Sequence, residues 1–434
     1  MVLLTDEFSE SPLWLDDAPL WGAHDAVLPE RVDVLIVGAG YTGLNAAIET
    51  ARGGLSTWVI DAAEPGAGCS TRNGGQISTS IKPSLANLTR RFGADRAQAI
   101  RAMGTMALEW IESRIRDEGI VCDFQRQGMF RAAHTPAHFR AQLREIPILA
   151  AESIETRAVS RDEQHRELGT DAYHGGLVYP RHASLHPAKY HRGLLQSALD
   201  AGASVIAHCA ASRIVRLSSG LFRVSTERGV VEARELIIAT NGYSGPLFPW
   251  LRRRIIPINS YVMCTEVLPT DLVDRLFPTR RNITDTCKVV YYYRCSPDRQ
   301  RIVFGGRVSA GETNVRDSAR RLHRHLCELF PELHDYQVTH SWSGQVAYTF
   351  DELLHTGTHQ GIHYSAGYCG SGVSMASYQG MKLGQRVLNL STGETALDDV
   401  PFRSRPFYRG KPWFLPPLVA WYRCQDEWQR RLSQ

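Results

Sequence analysis

The sequence predicts an α/β fold in which a doubly wound domain is interrupted by a second domain built on an antiparallel sheet. Three observations lead to this prediction. A strand, a glycine-rich turn, a helix and another strand succeed one another within residues 32–61. Residues 255–307 change to longer strands typical of an antiparallel sheet. A strand, a glycine turn and a helix then return at residues 361–390, so the first domain is expected to be discontinuous.

Length and composition exclude several classes of protein. The 434 residues are enough for two or three domains. A chain that is 43% hydrophobic and 22% charged has globular composition, which excludes a disordered, collagen-like or coiled-coil protein. The formal net charge of +4 is small for a surface of this size. It therefore predicts no nucleic-acid partner.

The cysteines and the amino terminus bear on the cellular compartment. The nine cysteines form no CxxC pair, which favours reduced thiols over a disulfide framework. The first thirty residues carry acids where a signal peptide needs a basic start and an apolar run. No stretch approaches the roughly 18 consecutive apolar residues of a spanning helix. We therefore expect a cytoplasmic protein.

Hydrophobic periodicity places the elements in order. Residues 32–37 form a β-branched run typical of a buried strand, residues 44–52 a helix, and residues 57–60 a second strand that ends at Asp61. Further helices are predicted at 94–117, 187–201, 318–330 and 373–390, and further strands at 204–207, 213–217, 236–239, 260–267, 289–294, 302–305 and 361–366. The first, discontinuous domain is expected to comprise residues 30–95, 175–250 and 340–395, the second domain 96–174 and 251–339, and the C-terminal tail 396–434.

A dinucleotide-binding fingerprint follows the first strand. Gly38, Gly40 and Gly43 form GxGxxG, which allows a tight turn, close approach of a pyrophosphate and close packing of the helix. The helix N-terminus would meet the phosphate charge. Asp61 ends the next strand, where an acid hydrogen-bonds a ribose diol and disfavours the 2′-phosphate of NADP.

The residues beyond this fingerprint favour FAD over NAD. An NAD dehydrogenase usually continues its parallel sheet, whereas here the second βα unit breaks into the glycine-rich loop 66–76. Four glycines and several small polar residues in that loop suit close approach to a ligand. A second glycine turn at residues 365–373 opens another helix, whose N-terminus suits the anionic edge of a reduced flavin.

Five motifs in one order resemble the D-amino-acid-oxidase (DAO) family of FAD-dependent amine oxidoreductases. They are the strand–GAGYTG–helix unit, STRNGGQ (70–76), LVYPRHASLHPAKYHRG (177–193), ATNG (239–242) and GYCGSGV (367–373). Within the family, RNGGQ, FGGR (304–307) and segment 342–349 are most similar to gamma-glutamylputrescine oxidases. Pipecolate and sarcosine oxidases are more distant. The resemblance covers roughly residues 30–395.

The resemblance implies a Rossmann-like FAD domain and a substrate domain whose antiparallel sheet covers the flavin. Carried over to this chain, it implies these cofactor contacts: Gly38, Gly40, Gly43 and Asp61 for the ADP half; Arg72, Asn73, Gly74, Gly75 and Gln76 for the pyrophosphate-to-flavin region; Asn241 near a strand end; and Gly370, Ser371, Gly372 and Val373 at the pyrimidine edge.

The resemblance also implies the chemistry. A hydride passes from the amine α-carbon to flavin N5, and the resulting imine is hydrolysed. Val346 aligns with the cysteine that links flavin covalently in some sarcosine oxidases, so we expect non-covalent FAD. Residues 301–306 lack the lysine that assists oxygen in those enzymes, although Lys288 could substitute. The electron acceptor is therefore oxygen or another compound.

The substrate contacts are predicted from residue type. Tyr291 and Tyr293 on a predicted roof strand would suit an amine, and Arg72 or Arg307 a carboxylate. No serine-hydrolase elbow or HExxH motif is present, so we expect flavin-borne chemistry and no metal. The alternatives are an amino-acid oxidase or dehydrogenase for pipecolate- or sarcosine-like amines, and a flavoprotein that only binds FAD. The aromatic, arginine-rich tail is expected to pack on the protein's own body more readily than on a membrane.

Overall fold

The structure, a computed structural model, describes residues 3–21, 27–306 and 313–431. The strands are β1 (Leu4–Ser9), β2 (Arg31–Val37), β3 (Thr57–Ile60), β4 (Gln76–Ile77), β5 (Met129–Ala132), β6 (Arg157–Val159), β7 (Gly176–Tyr179), β8 (Ala183–Ser184), β9 (Ser204–Ile206), β10 (Ala211–Arg216), β11 (Phe222–Thr226), β12 (Gly229–Ile238), β13 (Ile256–Thr265), β14 (Asn282–Asp285), β15 (Tyr291–Cys295), β16 (Ile302–Gly306), β17 (Val338–Tyr348), β18 (His355–His359) and β19 (Ile362–Ala366). The helices are α1 (Trp14–Asp17), α2 (Tyr41–Arg52), α3 (Cys69–Arg72), α4 (Leu85–Phe92), α5 (Ala94–Asp117), α6 (Pro136–Ala151), α7 (Pro187–Asp200), α8 (Pro249–Arg252), α9 (Thr270–Leu276), α10 (Val315–Leu329), α11 (Gly372–Val387) and α12 (Leu415–Arg431).

The first large sheet, here called the parallel sheet, contains the fingerprint strand. Its parallel core runs in the order β19-β12-β2-β3-β9, and β18 pairs with β19 at one end. Strand β2 is buried on both faces, because Val34 and Ile36 pack in one core while Leu35 and Val37 pack in another. The near-continuous apolar run of β2 reflects this two-sided burial. The prediction of an α/β fold class is confirmed.

The second large sheet, here called the mixed sheet, has the strand order β1-β17-β13-β16-β15-β14-β5-β7-β6 among the described residues. Most of its pairs are antiparallel, and β1 with β17 and β14 with β5 are parallel. Strands β7 and β17 belong to this sheet, although the sequence division placed residues 175–250 and 340–395 in the cofactor domain. We propose a domain division that follows the sheets, in which β7 (Gly176–Tyr179) and β17 (Val338–Tyr348) belong to the substrate domain.

Helix α2 begins at Tyr41, inside the glycine turn rather than after it as predicted. The reason is the close contact between its first turn and the preceding chain. A Cβ atom on Gly43 would lie 1.9 Å from the carbonyl oxygen of Gly38. Only a residue without a side chain lets the helix start this close to β2.

None of the described helices is long and apolar enough to cross a membrane.

We expect Gly43→Ala to destabilise the protein by about 1–3 kcal/mol, the usual cost of forcing extra atoms into a packed site. Thermal unfolding of the protein would measure the loss. Gly245→Ala is the matched control, because a Cβ atom there has no neighbour within 4 Å. An unchanged melting temperature for Gly43→Ala would contradict the close contact.

Candidate functional site

A large cleft lies between the carboxyl ends of the parallel strands and one face of the mixed sheet. Its volume is about 2140 Å³. Ordinary small-molecule pockets occupy roughly 300–1,000 Å³, so the cleft has room for a dinucleotide and a second ligand. Ligands of open α/β sheets bind at the carboxyl ends of the strands, which is where this cleft opens.

The N-terminus of helix α2 forms one end of the cleft. Gly38, Gly40, Tyr41 and Thr42 line it. The first turn of a helix leaves backbone N–H groups without partners inside the helix. Here the N–H of Tyr41 donates to Ser70 Oγ at 3.1 Å, which ties the turn to the loop 66–76. Free N–H groups and the helix dipole suit an anion such as a pyrophosphate.

Asp61 lies at the end of β3 and lines the same part of the cleft. Its Oδ2 accepts from the N–H of Ala39 at 2.8 Å, and its Oδ1 accepts from the N–H of Ala63 at 3.1 Å. Burial raises the pKa of this carboxyl, and the two backbone hydrogen bonds oppose that rise. The carboxylate is thus held in one orientation beside the glycine turn, where it can accept further hydrogen bonds.

The loop 66–76 is a packed structure rather than a free surface loop. The Asn73 side chain donates to the carbonyls of Cys69 at 3.1 Å and Ser70 at 3.0 Å, and its Oδ1 accepts from the N–H of Gly75 at 2.8 Å. The indole N–H of Trp14 donates to the Asn73 carbonyl at 2.9 Å. These bonds hold the backbone of the loop against the cleft, as a ligand-binding loop requires.

Arg72 lines the cleft, but two of its donors are engaged by the protein. Its Nε donates to the carbonyl of Ala67 at 2.8 Å and its Nη1 to that of Ser343 at 3.3 Å. The indole of Trp342 donates to the Arg72 carbonyl at 2.8 Å. This residue therefore fastens the loop to β17, and it is a weaker candidate for a bidentate carboxylate clamp than its type suggested.

A second helix N-terminus faces the cleft from the other side. Gly370, Ser371, Gly372 and Val373 line the cleft at the start of α11. Asn241, which lines it too, accepts from the N–H of Gly367 at 2.9 Å through its Oδ1. That bond joins the end of β12 to the turn after β19. Two helix N-termini distant in sequence thus meet at one cleft.

Most of the residues predicted to contact a cofactor line this cleft, and two lie behind its wall. Gln76 and Gly74 line it, whereas Gly43 packs on the Gly38 carbonyl and Gly75 on the Leu185 carbonyl. Arg307 lies outside the described residues, so the structure gives it no position.

The mixed sheet forms the opposite wall, and its alternation corrects the choice of tyrosines. Tyr293 packs against Phe304, and its hydroxyl donates to Tyr173; Tyr291 stacks on His325. Both point to the far face of the sheet, away from the cleft. Tyr292 is the one that lines the cleft, in contact with Gly74. Side chains on a strand alternate, and only the packing of the sheet decides which parity faces the ligand.

Sequence reasoning missed most of this wall. On most of the strands the residues that line the cleft recur at every second position: Met129 and Arg131 on β5, Ile256, Ile258 and Ser260 on β13, Asn282 and Thr284 on β14, and Gly344, Val346 and Tyr348 on β17, where Gln345 and Ala347 line it as well, as does Asp285 on β14. Period-2 alternation within each strand could have grouped them. It could not have identified the cleft-facing group without the sheet order.

The tail crosses the edge of the cleft. Leu415 and Val419 of α12 are buried, and Leu418 and Tyr422 line the cleft. Asp426 accepts from the backbone N–H groups of Lys288 at 2.9 Å and Val289 at 3.1 Å. These contacts hold helix α12 on the body of the protein.

One group of possible metal ligands lies beside this helix, in the part of the chain that the structure describes. Potential ligand atoms of His134, Cys287 and Asp426 lie within 4.8 Å of one another, and all three residues are buried. The Asp426 carboxylate already caps two backbone N–H groups, and His134 Nδ1 lies 2.8 Å from Thr286 Oγ1. The two Asp426 hydrogen bonds fasten α12 to the segment that contains Cys287.

Comparison with known proteins agrees with this geometry. Residues 33–386 match the family model described as DAO, FAD-dependent oxidoreductase. A probable oxidoreductase OrdL of Rhizobium meliloti is 30% identical over 94% of this chain and 98% of its own. The gamma-glutamylputrescine oxidoreductase of Escherichia coli is 29% identical over 91% and 92% of the two chains.

Solved structures share the fold. A glycine oxidase from Geobacillus kaustophilus superposes with a TM-score of 0.72 at 19% identity, covering 87% of this chain and 99% of its own. The fold and the cleft define a flavin-dependent oxidoreductase. The chain belongs to the DAO family of FAD-dependent oxidoreductases, whose members act on amines and amino acids.

The cleft fits FAD. Its volume accommodates a dinucleotide, the N–H groups of α2 suit the pyrophosphate, and the oriented Asp61 carboxylate suits a ribose diol. A Cβ atom on Gly40 would approach Ser70 Oγ to 2.9 Å, so the turn exposes backbone rather than side chain. Non-covalent attachment stays a prediction.

We expect Asp61→Ala to weaken FAD binding by about 10- to 100-fold, because hydrogen bonds to a charged group contribute about 1.5–3 kcal/mol each. Fluorescence titration of the apoprotein with FAD would measure this. Asp33→Asn is the matched control, since Asp33 accepts from the N–H of Ser56 and pairs with Arg234 outside the cleft. Equal affinities for the two variants would contradict the assignment.

Proposed function

We propose that the protein oxidises the C–N bond of an amine that resembles gamma-glutamylputrescine. The observation that carries the proposal is the cleft itself. One end has the helix N-terminus, carboxylate and glycine-rich loop that suit FAD, and the opposite wall presents apolar and hydroxyl side chains. The 29% identity to the gamma-glutamylputrescine oxidoreductase of Escherichia coli supports the same substrate class. The similarity extends over 91% of this chain and 92% of the relative, so the aligned region is not confined to the cofactor motifs.

In this proposal the fingerprint and the loop hold FAD. Gly38, Gly40 and Asp61 hold the ADP half, Asn73 and its neighbours lie along the pyrophosphate-to-flavin region, and the turn 370–373 lies at the pyrimidine edge. Bound FAD would accept a hydride from the carbon next to the amine nitrogen. The helix dipole of α11 favours negative charge at that edge.

The chain's own residues then bind and orient the amine and exclude water. Ile256, Ile258 and Val346 present an apolar surface. Tyr292 is half-buried, and its hydroxyl lies 2.9 Å from Ser260 Oγ. Burial raises the pKa of Tyr292 to about 12, so this hydroxyl is neutral and acts as a hydrogen-bonding group rather than a base. Such a wall favours the uncharged form of an amine.

Charged side chains elsewhere around the cleft suit a substrate with polar ends. Lys82 lies 5.2 Å from the Tyr348 ring centre, and Lys288 and Arg131 also line the cleft. Asp351 lines it too; burial alone would raise the pKa of its carboxyl, but hydrogen bonds from His355 and Arg91 hold that pKa well below its usual range. A diamine acylated by a gamma-glutamyl group, with an amine at one end and the glutamyl carboxylate at the other, could use both signs of charge.

We expect anaerobic addition of gamma-glutamylputrescine-like amines to bleach the flavin absorbance near 450 nm, a band of the cofactor itself. Cyclic and N-methyl amino acids should bleach it more slowly. Readmitting air then distinguishes oxygen from another electron acceptor by the rate at which colour returns. Bleaching only by amino acids would favour the pipecolate- or sarcosine-like alternative, and no bleaching by any amine would refute the proposal.

We expect Tyr292→Phe to lower kcat/KM by about fivefold, since an ordinary hydrogen bond contributes about 1 kcal/mol. Its pH–rate profile should keep the wild-type shape between pH 6 and 10, because a hydroxyl with a pKa of about 12 does not ionise there. Tyr293→Phe is the matched control, since it removes a hydroxyl bonded to Tyr173 on the far face of the sheet. A larger kinetic effect from Tyr293→Phe would contradict the assignment of faces.

A further inference from the structure

The tail carries a charge pattern that the proposed function does not use. Residues 400–425 contain five basic residues and no acid, whereas the whole chain has 49 basic and 45 acidic residues. The basic residues are Arg403, Arg405, Arg409, Lys411 and Arg423. Acidic residues balance the basic ones over the whole chain but are absent from this stretch. Its unbalanced basic residues therefore create a local positive potential.

Basic and aromatic side chains are exposed along this segment. They are Arg403, Arg405, Phe407, Arg409, Lys411 and Trp413, and Ser404 and Pro406 are exposed beside them. Between them, Tyr408 is buried and donates from its hydroxyl to the carbonyl of Ile255 at 2.7 Å. Phe402 is stacked on His355 at 3.9 Å. The segment is therefore fastened through its inner side chains while the basic and aromatic ones point outward.

Helix α12 extends this exposed surface. Its inner side is held by Val419 and by Asp426, which caps two backbone N–H groups. Trp421 and Trp428 are seven residues apart and therefore lie on one side of the helix. They are 66% and 64% exposed, and Trp413 is 72% exposed. Large aromatic side chains are seldom left in water in this number without an interaction to explain them.

We propose that this surface, formed by residues 403–413 and the outer side of α12, docks on an anionic lipid bilayer. Tryptophan side chains are enriched at membrane interfaces, and basic residues near an anionic surface add attraction. A protein partner would need a complementary shape. A bilayer needs only the mixture of aromatic and basic groups that this surface presents. Residues 400–425 contain no acid that would repel anionic lipid, and the exposed acid of α12, Glu427, lies beyond them.

Docking would place the cleft at the membrane surface. Arg403, Arg405, Leu418 and Tyr422 belong to the tail and also line the cleft. The surface therefore borders the opening of the cleft rather than a remote face of the protein. A molecule dissolved in the bilayer would reach the cleft without crossing the surrounding water.

Sedimentation with vesicles tests the proposal on the FAD-loaded, full-length protein. We expect it to pellet with vesicles of phosphatidylcholine and phosphatidylglycerol at 3:1 and to stay in solution with phosphatidylcholine alone. High salt should release it. The double variant Arg409→Gln, Lys411→Gln should weaken binding on the order of 30-fold, from about 1 kcal/mol per basic residue. Trp421→Ser with Trp428→Ser should weaken it as well.

Two control variants separate docking from general charge or apolarity. Arg192→Gln with Arg213→Gln removes the same charge from exposed positions on α7 and β10, and Val121→Ser with Val230→Ser removes exposed apolar groups elsewhere. Both should bind vesicles like the wild type. Absence of pelleting with either vesicle, equal effects of the tail and control variants, or a dimer that buries the tryptophans would each overturn the proposal. Bound flavin in every variant shows that it has folded.

Discussion

The close contact between helix α2 and the turn before it is the constraint on which the rest of the structure depends. Because Gly43 lies against the Gly38 carbonyl, the helix can start at the end of β2 with its N-terminus directed into the cleft. The Asp61 carboxylate then accepts from the N–H of Ala39 in the same turn. Together these contacts bring a helix dipole and a carboxylate to one point, which suits the two halves of an ADP group.

The mixed sheet supplies what the parallel sheet lacks. A cofactor on the carboxyl ends of parallel strands would be open to water, and the mixed sheet covers that side with a mixture of apolar and polar residues. The loop 66–76 joins the two sheets, since Arg72 and Trp342 link it to β17 and Gln76 donates to the Tyr293 carbonyl on β15. The position of the substrate wall relative to the cofactor end is therefore set in part by these partly buried hydrogen bonds.

Local motifs could be predicted well because each depends on neighbouring residues. The fingerprint, the second glycine turn and the helix 94–117 follow from glycine placement and periodicity over a few turns. Tyr291 and Tyr293 were predicted as substrate contacts, whereas Tyr292 lines the cleft. Alternation shows that Tyr292 faces opposite to its neighbours, but it does not show which side meets the ligand. Strands β5, β6 and β7 were missed, since they are short and gain their stability from pairing with distant strands.

The sequence by itself determined the fold class, the FAD-dependent family and the types of side chain available for binding. These depend on short motifs, whose conformations follow from neighbouring residues. Only the tertiary structure decided which residues share the cleft. It places the turns 370–373 and 38–43 at the same cleft, directs the Tyr292 side chain into that cleft, and positions the tail along the edge of the cleft. These outcomes depend on sheet order and long-range packing, which no local pattern encodes.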